Sequence, residues 1–181
     1  MTPSGDGAIE FASEPGAESG GALAWKILIA DDDRAVHAVM RLALADVTVG
    51  GRALEFRDAY GGGEACRILR DDIDIALVLM DLVMEGERSG IEAARAIRGP
   101  LGNARVRIVL CTGDIQTELR AGTMAELDLT ECWQKTELTA RRLSAIVHNA
   151  LGRYGASAAP RQGSRRATTG TFPCMVPQPA A

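Results

Sequence analysis

Lysine is scarce in this 181-residue chain: of 20 basic residues, only Lys26 and Lys135 are lysines. An ammonium is a compact point charge and a guanidinium a planar fork, so a lysine kept among arginines marks a place where the shape of the cation matters. Cysteine is equally sparse. The four present (Cys66, Cys111, Cys132, Cys174) include no C-x-x-C pair, which excludes a zinc ribbon or a dithiol redox centre and leaves buried or free thiols. The two histidines, His37 and His148, have no serine, cysteine or metal-type partner at a useful spacing. They are expected at surface or boundary positions, outside any catalysis. No run approaches the roughly 18 apolar residues of a membrane span, and no basic-then-apolar leader opens the chain. A cytoplasmic protein without membrane contact is expected. The formal net charge of −4 argues against direct nucleic-acid binding.

The chain is long enough for one domain with tails to spare. Residues 1–24 are rich in Gly, Ser, Ala and Glu, contain no basic residue and show no apolar period, as expected of a disordered tail. From Gly155 the composition turns to Pro, Ser, Ala, Thr and Gly with Arg161, Arg165 and Arg166. A second tail over 155–181 is expected, with the folded domain at 25–154 and no attached output domain.

Within the domain the strongest signal is Ile75-Ala76-Leu77-Val78-Leu79-Met80, six apolar residues that run into Asp81. Such a run reads as a strand buried on both faces of a parallel sheet. Before it, Lys26 to Ala30 forms a short strand that leads into Asp31-Asp32-Asp33. Val36, Val39, Met40, Ala43 and Leu44 then recur as a helical stripe, with Asp33 placed to cap it. Ala53 to Ala59 alternates as a second strand, and a helix over about Gly62 to Arg70 follows. After the central strand, Ser89-Gly90-Ile91-Glu92 has the capping-box pattern of a helix that stops at Gly99-Pro100. Val106 to Thr112 is a fourth strand, Ile115 to Glu126 a weaker helix, Leu127 to Gln134 a weaker fifth strand. A last helix spans about Glu137 to Leu151, with Gly152 past its end. Five strand–helix alternations imply an α/β fold, a doubly wound parallel sheet with helices on both faces.

Four strands thus end in a polar residue on one sheet edge, where open α/β sheets place their chemistry: Asp31 and Asp32, Asp81, Thr112, Lys135. Two carboxylates about 5 Å apart repel by roughly 3 kcal/mol at an effective dielectric near 20. A cluster of three must bind a cation or hold a proton. Hard oxygen ligands with open positions suit Mg²⁺. With a hydroxyl and an ammonium opposite, these are the parts of an aspartyl-phosphate site.

On these residues the chain resembles the receiver domain of two-component response regulators, over about Trp25 to Tyr154. The resemblance implies the strand order 2-1-3-4-5. It implies that Asp31, Asp32, Asp81 and the backbone carbonyl of Val83 hold Mg²⁺, that Asp81 accepts a phosphoryl group, and that Thr112 and Lys135 contact it. The donor would be a histidine kinase or a phosphotransfer protein, and the signal would pass to a separate downstream protein. A homodimer through the fourth helix, fifth strand and fifth helix is a further option. The segments Asp81-Leu82-Val83-Met84-Glu85, Leu101-Gly102-Asn103 and Lys135-Thr136-Glu137-Leu138-Thr139-Ala140 resemble a narrower group, receivers that precede HD-type cyclic-dinucleotide phosphodiesterase modules. The chain departs from the common pattern in three places. Glu85 follows Met84 where many receivers have Pro, Thr136 follows Lys135 where they have a cis-joined Pro, and Cys132 replaces the usual Tyr or Phe. With a small Cys132, phosphorylation is expected to act through the loop Gly113 to Arg120.

Two rival readings use the same residues. Haloacid-dehalogenase-type phosphatases also carry Asp-x-Asp after their first strand, but they want Thr or Val four residues on, where this chain has Ala35. A pseudo-receiver would keep the fold as a protein-binding module and drop the chemistry.

Overall fold

The computed structural model describes residues 24–85, 89–113, 121–137 and 139–156. Five strands and five helices alternate: β1 (Trp25–Ala30), α1 (Arg34–Leu44), β2 (Leu54–Ala59), α2 (Gly62–Asp71), β3 (Ile75–Asp81), α3 (Ser89–Arg98), β4 (Arg107–Thr112), α4 (Ala121–Glu126), β5 (Glu131–Gln134) and α5 (Ala140–Ala156). A 3₁₀ turn, Lys135–Glu137, links β5 to α5. The strands form one parallel sheet in the order β2-β1-β3-β4-β5, as the resemblance implies.

The period of two along the central strand divides the core in half. Val78 and Met80 point to one face, where they meet Leu28, Ile108, Leu110 and the inner sides of α2 and α3. Leu77 and Leu79 point to the other, where Ile27, Ile29, Val109 and residues of α1 and α5 close over them. All seven residues of β3 are buried, including the carboxylate that ends it. Asp33 caps α1 as expected, its side chain accepting the Ala35 N–H at 2.8 Å.

Three element boundaries differ from the sequence reading. The fifth strand is half the length expected, because Leu127 and Leu129 give their N–H groups to the carbonyls of Thr123 and Met124, in the turn that ends α4. Asp128 between them takes a positive φ of 45°. Ladder pairing resumes at Thr130, whose N–H donates to the Ile108 carbonyl at 2.7 Å. The last helix does not stop at Gly152. It continues to Ala156 and buries Tyr154 edge-on against Trp25, ring centroids 6.0 Å apart. Its first turn is held by Thr139, whose hydroxyl accepts from the Arg142 N–H. Ser89 does not cap α3 from outside; it is the first helical residue, and its hydroxyl accepts the Met84 N–H at 2.9 Å. Of the helix expected from Ile115 to Glu126, Ala121–Glu126 is helical; residues 115–120, the loop residues 86–88 and the two expected tails, apart from Ala24, Gly155 and Ala156, lie outside the described residues. No peptide bond among the described residues is cis, so Thr136 follows Lys135 through a trans bond. No described helix is long and apolar enough to cross a membrane.

The two-faced core yields a contrast between two leucines. Leu77→Ala should lower unfolding free energy by about 2–5 kcal/mol, since it leaves a cavity on a fully buried strand. Leu42→Ala, on the outer face of α1 at 81% exposure, should change it by no more than about 0.5 kcal/mol. Urea denaturation of both variants checks the difference.

Candidate functional site

Register brings the polar strand ends together. Ala30 pairs with Met80, so Asp31 follows on β1 where Asp81 closes β3. Asp81 pairs with Cys111, and Thr112 with Gln134, which places Lys135 just beyond the edge. Carboxylate oxygens of Asp31, Asp32 and Asp81 lie within 4.8 Å of one another. The Lys135 ammonium sits 2.8 Å from Asp81 Oδ2 and 2.7 Å from Asp31 Oδ2. Asp31, Asp81 and Thr112 are buried, Lys135 is half-buried, and Asp32 and Val83 are exposed. The structure therefore gathers Asp31, Asp32, Asp81 and Lys135 into one pocket and puts Thr112 at the adjoining strand end. Val83 lies two residues beyond Asp81 in the following loop.

Burial pushes the Asp81 carboxyl above the usual carboxylate range. The hydrogen bond and charge of Lys135 oppose that rise, and the like charge of Asp31 adds to it. For Lys135 burial pulls the other way, but its ion pair with Asp31 and its hydrogen bond to Asp81 outweigh burial and hold the ammonium above the ordinary lysine range. Cys111, fully enclosed behind the site, has its thiol pushed up to about 12 by burial, so it is neither nucleophile nor ligand.

The donor set fits a hard divalent cation. Asp31 Oδ2 is buried and, although Lys135 lies beside it, receives no aligned hydrogen bond. Asp32 supplies a second carboxylate from the solvent side. Three carboxylates and one ammonium sum to −3 + 1 = −2, the charge that Mg²⁺ cancels.

Two residues that shape the site escaped the sequence reading. Gly90 packs against the backbone at the end of β3: a Cβ there would lie 2.0 Å from the Asp81 carbonyl oxygen, and its N–H donates to the Leu82 carbonyl. Its place inside a capping-box pattern carried no sign of this. His37 is not at the surface. It is buried, with Nδ1 2.7 Å from Asp58 Oδ1 and Nε2 2.8 Å from the Asp31 carbonyl oxygen. His148 is exposed, as expected. Of the two lysines, Lys135 stands in the site, and Lys26 pairs with Asp72 at 2.8 Å on the opposite end of the sheet. The loop expected to carry the response, Gly113 to Arg120, lies outside the described residues beyond Gly113.

No family model matches the chain. Among solved structures it is similar to a response regulator receiver domain from Clostridium thermocellum, 25% identical, with a TM-score of 0.62, covering 74% of this chain and 98% of that one. It is also similar to the signal receiver domain of an HD domain-containing protein from Pseudomonas fluorescens Pf-5, 18% identical, TM-score 0.60, covering 74% and 91%. Strand order, core and these likenesses give the chain the receiver-domain fold of response regulators. A relative in Vibrio cholerae serotype O1, the 3'3'-cGAMP-specific phosphodiesterase 2, is 36% identical over 130 residues. The match takes in 72% of this chain, which spans about a quarter (25%) of that relative's length. The likeness thus extends to receivers of the kind that precede HD-type modules.

The raised Asp81 carboxyl carries a stability consequence. The folded protein holds its proton more firmly than the unfolded chain, so stability is fully present below the unfolded value near 3.9 and falls as pH rises through the folded value. At neutral pH without Mg²⁺, Asp81→Asn should therefore raise the thermal midpoint and flatten its acid-side pH dependence. Differential scanning calorimetry in chelated buffer from pH 4 to pH 8 checks both.

Proposed function

We propose that this receiver takes a phosphoryl group onto Asp81 from a histidine kinase or a phosphotransfer protein, in an Mg²⁺-dependent reaction. The observation that carries the reading is the place of Asp81, at the carboxyl end of the central strand between the Lys135 ammonium and the Asp31–Asp32 pair.

An Asp81 carboxylate oxygen bonds to phosphorus as the phosphorus–nitrogen bond to the donor histidine breaks. The departing nitrogen keeps the electron pair and takes up a proton. Asp81 must be ionised to attack, and Lys135 favours that form against the cost of burial. Thr112 and Lys135 then meet two of the phosphoryl oxygens with a hydroxyl and an ammonium. Mg²⁺, held by Asp31, Asp32, Asp81 and the Val83 backbone carbonyl, would offset the repulsion between carboxylates and incoming phosphoryl oxygens. Asp33 is spent on the cap of α1, where its Oδ1 accepts the Ala35 N–H.

The domain is a signalling phosphoacceptor that assists only its own phosphorylation and dephosphorylation. Its output passes by protein contact, through the face formed by α4, β5 and α5, to a downstream protein or a second copy of the chain. The match to the Vibrio phosphodiesterase runs over 130 residues, about the extent of the receiver fold, and supports phosphoryl reception as the reading of this region. A phosphatase of the haloacid-dehalogenase type has no support in the fold likenesses, and a silent pseudo-receiver conflicts with the full set of carboxylates, hydroxyl and lysine.

Incubation with acetyl phosphate and Mg²⁺ should label the chain stoichiometrically, and Asp81→Asn should abolish the label while the circular dichroism spectrum is unchanged. Persistent labelling of that variant would move the chemistry to another residue. Asp32→Ala should raise the Mg²⁺ concentration needed for half-maximal labelling, because it removes a ligand carboxylate.

A further inference from the structure

His37 has no part in the chemistry proposed above, yet it is buried and its two ring nitrogens are both engaged. It projects from the first turn of α1 and lies against the Tyr60 ring, centroids 4.7 Å apart. One nitrogen meets a carboxylate, Asp58 on β2, and the other the carbonyl of Asp31. The Asp31 carbonyl can only accept, so Nε2 is the nitrogen that carries hydrogen toward it. Asp58 is itself anchored, since its second oxygen accepts from Arg41 at 2.5 Å. His37 and Arg41 are four apart on one face of α1, and both reach the same carboxylate.

The contact with Asp31 falls at a sensitive place. Asp31 gives its N–H to the Ala59 carbonyl at 3.1 Å, Asp31 Oδ1 accepts from the Asp33 N–H at 3.0 Å, and Oδ2 faces Lys135. None of these touches the peptide group between Asp31 and Asp32. That group's carbonyl is held by His37 Nε2–H. The plane of this peptide sets the direction in which Asp32 leaves the backbone. Among the described residues the exposed Asp32 carboxylate has no hydrogen bond or ion pair of its own, so the backbone alone aims it.

We infer that His37 is a positioning residue of the acidic pocket: by clamping the Asp31–Asp32 peptide to α1 and β2, it aims both carboxylates at the divalent cation. This rests on the Mg²⁺ site of the proposed function. Partners that orient metal ligands from behind typically matter by about 10–100-fold in metal affinity when removed.

The test compares His37→Phe, which keeps a ring against Tyr60 but loses both ring nitrogens, with Arg41→Gln. The latter removes the other partner of Asp58 without touching the Asp31–Asp32 peptide. Mg²⁺ affinity is read by calorimetry and stability by thermal midpoint. His37→Phe should weaken Mg²⁺ binding by about tenfold or more. Arg41→Gln should lower the midpoint and leave Mg²⁺ affinity unchanged. In the unsubstituted chain, the His37 ring Nε2–H resonance should shift during Mg²⁺ titration with the same midpoint as the calorimetric binding. An unweakened His37→Phe variant, equal weakening in both variants, or a silent ring resonance while Mg²⁺ saturates would each overturn the inference alone. Absence of Mg²⁺ binding by the unsubstituted chain would overturn the proposed function and this inference together.

Discussion

One ammonium shared between two buried carboxylates organises this molecule. Lys135 Nζ lies within 2.8 Å of both Asp31 and Asp81, which come from different strands and stand 50 residues apart in sequence (81 − 31). Each carboxylate alone would be costly to bury, and Lys135 relieves both only in part. Burial, with the like charge of Asp31, pushes the Asp81 carboxyl up, and with Asp32 beside them the pocket is a place for further positive charge. A site already near balance would have no use for a cation. This one is two charges short.

The fold supplies what the pocket demands, a rigid edge with strand ends flush to one another. Parallel pairing carries β1, β3, β4 and β5 to the same side, and apolar packing on both faces of β3 leaves Asp81 no freedom of register. The loop that follows is drawn back at several points. Leu82 N–H donates to the Cys111 carbonyl, Met84 N–H to the Ser89 hydroxyl, and Glu85 Oε2 accepts from Gly62 N–H at the start of α2. Glu85 stands where many receivers have Pro, so a carboxylate contact with a helix terminus takes the place of a stiff ring.

Much of this was legible in the residues. Apolar runs ending in Asp31, Asp81 and Thr112 announced strands and a common edge, because a doubly buried strand has no room for polar residues until it emerges. Asp33 announced its cap for an equally local reason. What the residues concealed were features decided by neighbours far away in sequence. Gly152 looked like a helix stop until Tyr154 was drawn inward by Trp25. Leu127 and Leu129 have the apolar alternation of a strand, yet their N–H groups belong to the end of α4. His37 could not be placed because its partners, Asp31 just past β1 and Asp58 on β2, are brought together only by the sheet. Gly90 was invisible because nothing in a sequence marks the approach of a backbone carbonyl.

Asp81, the acidic pair and Lys135 are proposed to form a phosphoryl-receiving site that works with Mg²⁺. Beryllofluoride stands in for the phosphoryl group without being turned over, so ¹⁹F NMR of the chain in its presence tests the claim most directly. Bound fluoroberyllate resonances should appear at one equivalent per chain, and only when Mg²⁺ is added. No bound resonance with Mg²⁺ in excess, or full binding in its absence, would contradict it.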